Sequence, residues 1–96
     1  MKLRKSAFHP GEYIAEELTA RNWSQSDLAR ILGRPFQHVN LLVNRRRRVT
    51  LETAVELSAA FGTSVDVWLN LQARYDAANA PKPNREIVRR SKEMAA

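Results

Sequence analysis

The chain has 96 residues, of which 44% are hydrophobic and 27% are charged, and its formal net charge is +6. This length accommodates one domain with a modest core. Because the chain contains no cysteine, disulfides, thiolate metal sites and cysteine nucleophiles are excluded. No apolar run approaches the roughly 18 residues that span a bilayer, and no apolar stretch follows the basic N-terminus as a secretory signal would require. We therefore expect a cytoplasmic protein without a membrane partner.

The positive charge is unevenly distributed along the chain. Between residues 30 and 49 arginine recurs, and no aspartate or glutamate occurs. Such polarisation suits a polyanionic partner, because neutralising phosphates releases counterions. The charge alone does not choose between DNA, RNA, an anionic membrane and a solvated basic face that only serves solubility.

The first two predicted helices are marked by their start and stop signals. The sequence HPGE at residues 9–12 offers His9 as a cap, a proline at the first helical position and an acid that can reach back to the cap. Ile14 begins the buried stripe of this helix. The second helix starts at Ser24, a favourable N-cap, and ends at Gly33.

Three further helices are predicted after a short turn. Pro35 is preset for a helix start, and the apolar residues that follow it recur at helical spacing from Val39. Thr50 caps a fourth helix that Gly62 closes, and Ser64 caps a fifth.

No segment shows a sustained alternation with a period of two, so we predict an all-α fold, a compact five-helix domain. Residues 1–7 are expected to form a flexible basic N-terminus and residues 8–80 the helical domain. Pro81 and Pro83 lead into a polar, basic tail, residues 81–96, which we expect to be frayed or marginally helical.

The second and third predicted helices, with a glycine turn between them, have the layout of a DNA-binding helix-turn-helix. An amide side chain can form two hydrogen bonds with the major-groove edge of adenine, and an apolar group can contact the thymine methyl. The predicted base-reading residues, all on the outward side of the third helix, are Phe36, Gln37, Asn40 and Leu41. For Phe36, packing on the second helix or on a dimer mate stays open, and for Gln37 and Asn40 plain solvent exposure does.

Phosphate contacts are expected on both sides of these base readers. The first turn of the second helix offers backbone N–H groups and polar side chains, and a run of arginines follows the third helix. The predicted phosphate ligands are Ser24, Gln25, Asn44, Arg45, Arg46, Arg47 and Arg48. Four successive arginines cannot all face one way, so we expect two or three of them at the DNA. The remainder serve solubility, the fourth helix or a helix C-terminus.

Several stretches of the sequence together resemble a known family. They are HPGE at residues 9–12, SQSDLAR at 24–30, VNLLVN at 39–44, FGTS at 61–64 and WLNLQARYD at 68–76. In this combination the chain resembles the HigA antitoxins of the lambda-repressor-like (Xre) helix-turn-helix class, from Phe8 to about Ala80. The helix-turn-helix alone indicates only the broad class, and the opening and closing motifs are more specific.

The resemblance implies a homodimer that binds a palindromic operator on double-stranded DNA in its own promoter. It also implies a cognate toxin, typically a ribosome-dependent, mRNA-cleaving RNase of the HigB type, and a dimer formed by the last helix. Residues 8–80 would then be a DNA-binding and dimerisation domain. The candidate dimer residues are Trp68, Leu71, Gln72 and Tyr75. Aromatic groups are enriched at interfaces, although packing within the domain explains Trp68 and Tyr75 equally well.

The chain departs from the family pattern around the third helix. Arg45 stands where the family commonly has glycine, so either the turn differs or Asn44 adopts the left-handed conformation. A left-handed turn without glycine costs about 1 kcal/mol. Pro35 and Phe36 replace the usual start of this helix, so the operator cannot be carried over from relatives.

Three alternatives to an antitoxin-repressor remain. One is a toxin-binding protein with weak DNA binding, and another is a stand-alone regulator of the same class. An enzyme has the least support, because the two histidines lie far apart and no phosphate-cradling glycine loop or metal-ligand spacing occurs. We therefore expect no catalytic residue, cofactor or metal.

Overall fold

The computed structural model describes residues 8–95. Its helices are α1 (Pro10–Arg21), α2 (Gln25–Leu32), α3 (Phe36–Val43), α4 (Leu51–Phe61), α5 (Val65–Ala78) and α6 (Arg85–Ala95). The described range contains no strand, which confirms the all-α prediction. The expected number of five helices is wrong by one, because the tail forms α6. The predicted flexibility of residues 1–7 lies outside the described residues, and a domain boundary at residue 80 stays a prediction.

The helices begin where local capping residues predict. At α1 the Gly11 amide donates to His9 Nδ1 at 2.9 Å and the His9 amide donates to a Glu12 carboxylate oxygen at 3.1 Å. Ser24 forms the equivalent reciprocal pair with the third residue of α2. Thr50 and Ser64 accept from backbone amides at the starts of α4 and α5. Each cap satisfies amides that a helix start otherwise leaves unpaired, so the predicted starts of these four helices are confirmed.

The first five helices enclose a single hydrophobic core. Its members are Ile14, Leu18, Leu28, Ala29, Val39, Leu42, Val49, Ala54, Leu57, Phe61 and Trp68. Trp68 is the largest of them, and its indole N–H donates to Thr63 Oγ1 at 2.7 Å. Tyr13 packs edge-on against the Trp68 ring, with centroids 5.3 Å apart. The buried polar end of the tryptophan is thus satisfied while its rings link α1, α4 and α5.

Gly11 sets the distance between α1 and the end of α3. A Cβ atom at this position would lie 2.0 Å from the Leu42 carbonyl oxygen and 3.0 Å from that of Val43. Only glycine allows such close approach of two backbones. The HPGE sequence therefore does two things, because it starts α1 and also holds α3 in place against it.

The sixth helix arises from signals within the tail. The Asn84 side chain accepts from the amides of Glu86 and Ile87 at 2.8 and 3.3 Å, which caps the helix. Arg89 forms ion pairs with Glu86 and Glu93, one turn to either side. Such pairs each contribute only a few tenths of a kcal/mol. Every residue from 85 to 95 is exposed, so α6 receives no support from the core.

The cap at His9 makes stability depend on pH. Burial and the Arg45 charge lower the His9 pKa from its ordinary value of 6.5, because both disfavour the imidazolium and because Nδ1 accepts the Gly11 amide. As the pH falls, His9 is therefore protonated in the unfolded chain before it is protonated in the folded chain. The contribution of this cap to the free energy of unfolding should be fully present above about pH 6.5 and should decrease as the pH drops below that value.

Urea titrations between pH 7.5 and pH 5 test this dependence. The variant His9→Asn keeps a capping acceptor that does not titrate, so its free energy of unfolding should change less over this range. The pKa of His38 is also lowered, so His38 contributes to the pH dependence of stability in both proteins. This contribution cancels when the two proteins are compared. Equal pH dependence in the two proteins would contradict the assignment.

Candidate nucleic-acid interface

The turn between α2 and α3 has the geometry that a helix-turn-helix requires. Gly33 adopts a left-handed conformation with φ +67°, and the Arg34 amide donates back to the Ala29 carbonyl at 3.0 Å. This closes α2 with the arrangement typical of a glycine C-cap. Ala29 is buried, and its small side chain lets the two helices cross closely.

One side of α3 faces the core and the other faces outward. Val39 and Leu42 are completely buried, which fixes the rotation of the helix. Phe36 is 49% exposed and Gln37 is also exposed, whereas Asn40 and Leu41 are half-buried. The four predicted base readers therefore share the outward side, with Phe36 and Gln37 at its start. An aromatic ring left half-exposed in the chain is available to a partner.

Asn40 is held by the neighbouring helix. Its Nδ2 donates to Gln25 Oε1 at 3.0 Å, so a predicted base reader on α3 is joined to a predicted phosphate ligand at the start of α2. The bond leaves the Gln25 amide N–H groups and one Asn40 N–H free to donate elsewhere. A side chain restrained in this way loses less rotamer entropy when it binds.

Both alternatives expected for the turn after α3 are wrong. Asn44 has φ −85°, and Arg45 itself takes the left-handed conformation with φ +63°. The Arg46 amide then donates to the Leu41 carbonyl at 2.8 Å. The turn keeps the form that glycine would give it, with the strain placed on Arg45.

Arg45→Gly should therefore raise the free energy of unfolding by about 1 kcal/mol, because glycine adopts a positive φ without steric cost. Guanidinium titration of the full chain measures the change. Arg46→Gly is the matched control, since it removes the same side chain from the next position, where φ is not positive. A loss of stability in Arg45→Gly comparable to that of the control would contradict the strain.

The four successive arginines divide into two pairs. The Arg47 guanidinium contacts His38 Nδ1, and Arg48 forms an ion pair with Asp76 of α5 at 2.8 Å. Arg45 and Arg46 are exposed and have no ion pair within residues 8–95. Arg45 and Arg46 therefore have no ion pair in the described chain that would compete with a phosphate, and a contact of any of the four arginines with DNA stays a prediction.

Arg34 is a residue whose role the sequence did not indicate. Its Nε donates to the Glu56 carboxylate at 3.1 Å, and its Nη2 also contacts Glu52 and Glu56. These bonds lower the pKa of Glu56 and raise that of Arg34 further above its usual range. Arg34 therefore ties the helix-turn-helix to α4 and is not a free cation of the basic stretch. The partners lie 18 and 22 residues away, and no short-range pattern could have predicted them.

His38 lies beside this cluster on α3. Burial, followed by the charges of Arg47 and Arg34, lowers its pKa, so the ring is neutral at physiological pH. Its Nε2 is buried without a hydrogen-bond partner among the described residues. The neutral ring can accept from Arg47 at Nδ1, which orients that arginine.

The residues predicted for the dimer interface are not equally accessible. Trp68 and Gln72 are 0% and 4% exposed, and Gln72 accepts from the Val49 amide at 2.6 Å while donating to Asp76 at 2.9 Å. These two side chains pack within the domain and offer a partner almost no surface. Leu71 and Tyr75 are half-buried, and Tyr75 also contacts the His9 ring edge-on at 4.9 Å. A dimer contact through α5 stays a prediction for Leu71 and Tyr75.

Within residues 8–95, no group of histidine, aspartate and glutamate side chains is placed to hold a metal ion. None of the described helices has both the length and the apolar character to cross a membrane.

This geometry defines a class of protein, the helix-turn-helix proteins. The Helix-turn-helix family model HTH_3 matches residues 14–68, a span that contains the whole of α2, the turn and α3. The chain therefore belongs to this family and, within it, to the HigA-type antitoxins of the Xre class.

Three relatives illustrate this family membership. An addiction-module antidote protein of the HigA family from Coxiella burnetii is 41% identical with a TM-score of 0.71, over 75% of this chain and 79% of that one. A Pseudomonas aeruginosa protein crystallised with its 18-base-pair operator DNA is 32% identical with a TM-score of 0.77, over 94% and 96% of the two chains. The virulence-associated protein I of Dichelobacter nodosus is 35% identical over 82 residues, which cover 84% of this chain and 76% of the relative.

Proposed function

We propose that this chain is an antitoxin that represses its own promoter as a homodimer and neutralises a HigB-type, mRNA-cleaving toxin. The observation that supports DNA reading most directly is the outward side of α3. It carries Gln37 and Asn40 between Gln25 at one end and the free arginines Arg45 and Arg46 at the other. Amides that can bond adenine edges are thus flanked by groups that can bond phosphates.

Dimerisation follows from the size of this reading surface. A helix of eight residues offers few base contacts, and a two-fold dimer that places two such helices about 34 Å apart reads two half-sites of a palindrome. The Pseudomonas relative was crystallised with its operator DNA, which supports operator binding by a chain of this fold. We place the protein in the cytoplasm, associated with the nucleoid.

A salt-controlled mobility-shift assay tests the repressor half of the proposal. The purified full chain should bind the DNA upstream of its own gene more tightly than an unrelated duplex of equal length. The ratio of the two affinities should persist when the salt concentration is raised, although both affinities fall. Equal affinity for the two duplexes would overturn this half.

The toxin half of the proposal rests on the HigA-type relatives and is tested separately. Co-expression of this chain should restore the growth of cells that express a HigB-type RNase encoded next to its gene. Operator binding without such rescue would favour the stand-alone regulator. Rescue without operator preference would favour a toxin-binding protein with weak DNA binding.

A further inference from the structure

Helix α6 carries an apolar face that nothing in the described chain covers. At 100° per residue, Ile87, Val88, Ser91, Met94 and Ala95 fall on one side of the helix, and we call them the apolar face of α6. Ile87, Val88 and Met94 are 59%, 42% and 86% exposed. A helix of 11 residues is marginally stable in water on its own. Burial of this apolar face against a partner would stabilise it.

The borders of this face are basic. Arg90 lies beside Met94 at one border, and Lys92 lies beside Val88 at the other. The acids of the helix, Glu86 and Glu93, lie on the opposite side and are both paired with Arg89. Within residues 8–95 neither Arg90 nor Lys92 has an ion pair. The face is therefore suited to an apolar groove with a negative border.

The chain contains a groove of this kind between α2 and α4. It has a volume of about 320 Å³ and is lined by Ile31, Leu32, Glu56, Ala59 and Ala60, which we call the α2–α4 groove. Ile31 is 50% exposed. On α4 the apolar surface continues one and two turns back from Ala59 through Val55 and Leu51, which are 49% and 63% exposed.

The border of the groove carries two carboxylates. Glu56 and Glu52 both pair with Arg34, and the Glu52 side chain stays 75% exposed, so its carboxylate is accessible to a cation of a partner. Arg34 lowers the pKa of Glu56, so that carboxylate stays ionised at neutral pH. Except for Phe36, all the large hydrophobic side chains that the described chain exposes lie on α6 or on the α2 and α4 surface.

Helix α6 does not lie in the groove of its own chain. The groove is lined by residues of α2 and α4 alone, and every residue from 79 to 95 is exposed. Both apolar surfaces accordingly lie open in one chain, which measures 59 × 29 × 22 Å. Two copies that exchange their α6 helices would cover both surfaces on both chains, in a closed, two-fold arrangement.

We propose that the apolar face of α6 docks in the α2–α4 groove of a second copy of this chain. The contact is a helix laid in a groove, anchored by residues about one turn apart, with Arg90 and Lys92 near the Glu52 and Glu56 border. It deepens the homodimer proposed above and rests on it. It also assigns the basic tail a role in assembly.

Because the chain contains no cysteine, an engineered disulfide reports this contact without interference. Ala59→Cys places a thiol in the groove and Ser91→Cys places one at the centre of the apolar face of α6. Both positions are exposed, so the fold should be retained, which circular dichroism checks. The full-length double variant, oxidised mildly without DNA, should run as a covalent dimer on a non-reducing gel. The matched control combines Ala59→Cys with Glu93→Cys, on the opposite side of α6, and should form at least tenfold less covalent dimer.

The other outcomes each overturn the contact. A disulfide within one chain would show that α6 docks on its own groove. Covalent dimers of the Ser91→Cys single variant in equal yield would show that two α6 helices pair with each other. If the double variant formed no more covalent dimer than the control, α6 would not dock in this groove, and its apolar face would be available to a toxin or another partner. Sedimentation of the unmodified chain separates this failure from that of the proposed function, since a dimer that does not cross-link contradicts only the α6 contact, and a monomer contradicts the homodimer itself.

Discussion

Gly11→Ala should lower the free energy of unfolding by about 2–3 kcal/mol, the upper range for overpacking a tightly packed site. Alanine normally stabilises a helix by up to about 1 kcal/mol relative to glycine, so helix propensity alone predicts the opposite sign. The clash decides, because the new Cβ would lie 2.0 Å from the Leu42 carbonyl oxygen. A backbone oxygen at the end of α3 cannot rotate away as a side chain can. Guanidinium titration of the full chain measures the loss.

Gly62→Ala provides the matched control for this prediction. Gly62 has φ +69° but open space where its Cβ would be, so only the left-handed conformation is penalised, by about 1 kcal/mol. The two variants therefore separate a packing cost from a backbone cost. Gly11→Ala should also weaken operator binding beyond its loss of stability, since relief of the clash moves α3, whereas Gly62→Ala should not. A Gly11→Ala protein as stable as the unmodified chain would contradict the close approach of α1 and α3.

The helix starts could be predicted from the sequence because each depends on a few adjacent residues. Ser24, Thr50 and Ser64 accept from an amide three residues ahead, and His9 accepts from one two residues ahead. The donor and the acceptor of each cap lie within three residues of each other, so the local sequence is sufficient to predict where each helix starts. The same reasoning found the outward side of α3, because helical spacing of buried residues leaves the other side for a partner.

The partners of the arginines could not be predicted in this way. Arg34 meets Glu56 and Arg48 meets Asp76 only because the packing of α2, α4 and α5 brings them together. Long-range pairs of this kind depend on the tertiary structure and have no sequence spacing of their own. The basic stretch from residue 30 to 49 consequently offers fewer free cations than its composition indicates.

Three features of the sequence are compatible with more than one structure. Arg45 takes the left-handed turn itself, because the bonds that close α3 offset the strain on one residue. The sequence predicts a tail that is either frayed or marginally helical. The structure has the helical form, because Asn84 starts α6 and the Arg89 ion pairs support it. Tryptophan is common at protein interfaces, but Trp68 is completely buried in the core. The residue type alone therefore does not distinguish a core position from an interface position.

Gln37→Ala and Arg46→Ala should weaken DNA binding in two different ways. Gln37 is exposed on the outward side of α3, and loss of a bidentate contact to a base costs about 1–3 kcal/mol of discrimination, or about 5- to 150-fold. The loss should be confined to duplexes that carry the preferred base. Arg46 is exposed, and a phosphate contact carries no sequence information. Its removal should weaken all duplexes alike and reduce the slope of log affinity against log salt by about one unit.

Titrations with the operator and with single-base variants of it, at several salt concentrations, distinguish these effects. Arg48→Ala is the matched control for Arg46→Ala, because the Arg48 guanidinium is already paired with Asp76 and its removal should change the salt slope less. If Gln37→Ala weakened every duplex equally, Gln37 would not read a base and Phe36 or Asn40 would have to supply the discrimination. If Arg46→Ala altered base preference but not the salt slope, the basic turn after α3 would itself lie in the groove. The assignment of base readers to α3 and phosphate ligands to the turn therefore requires two different effects. Gln37→Ala must change the preference for a base, and Arg46→Ala must change the salt slope.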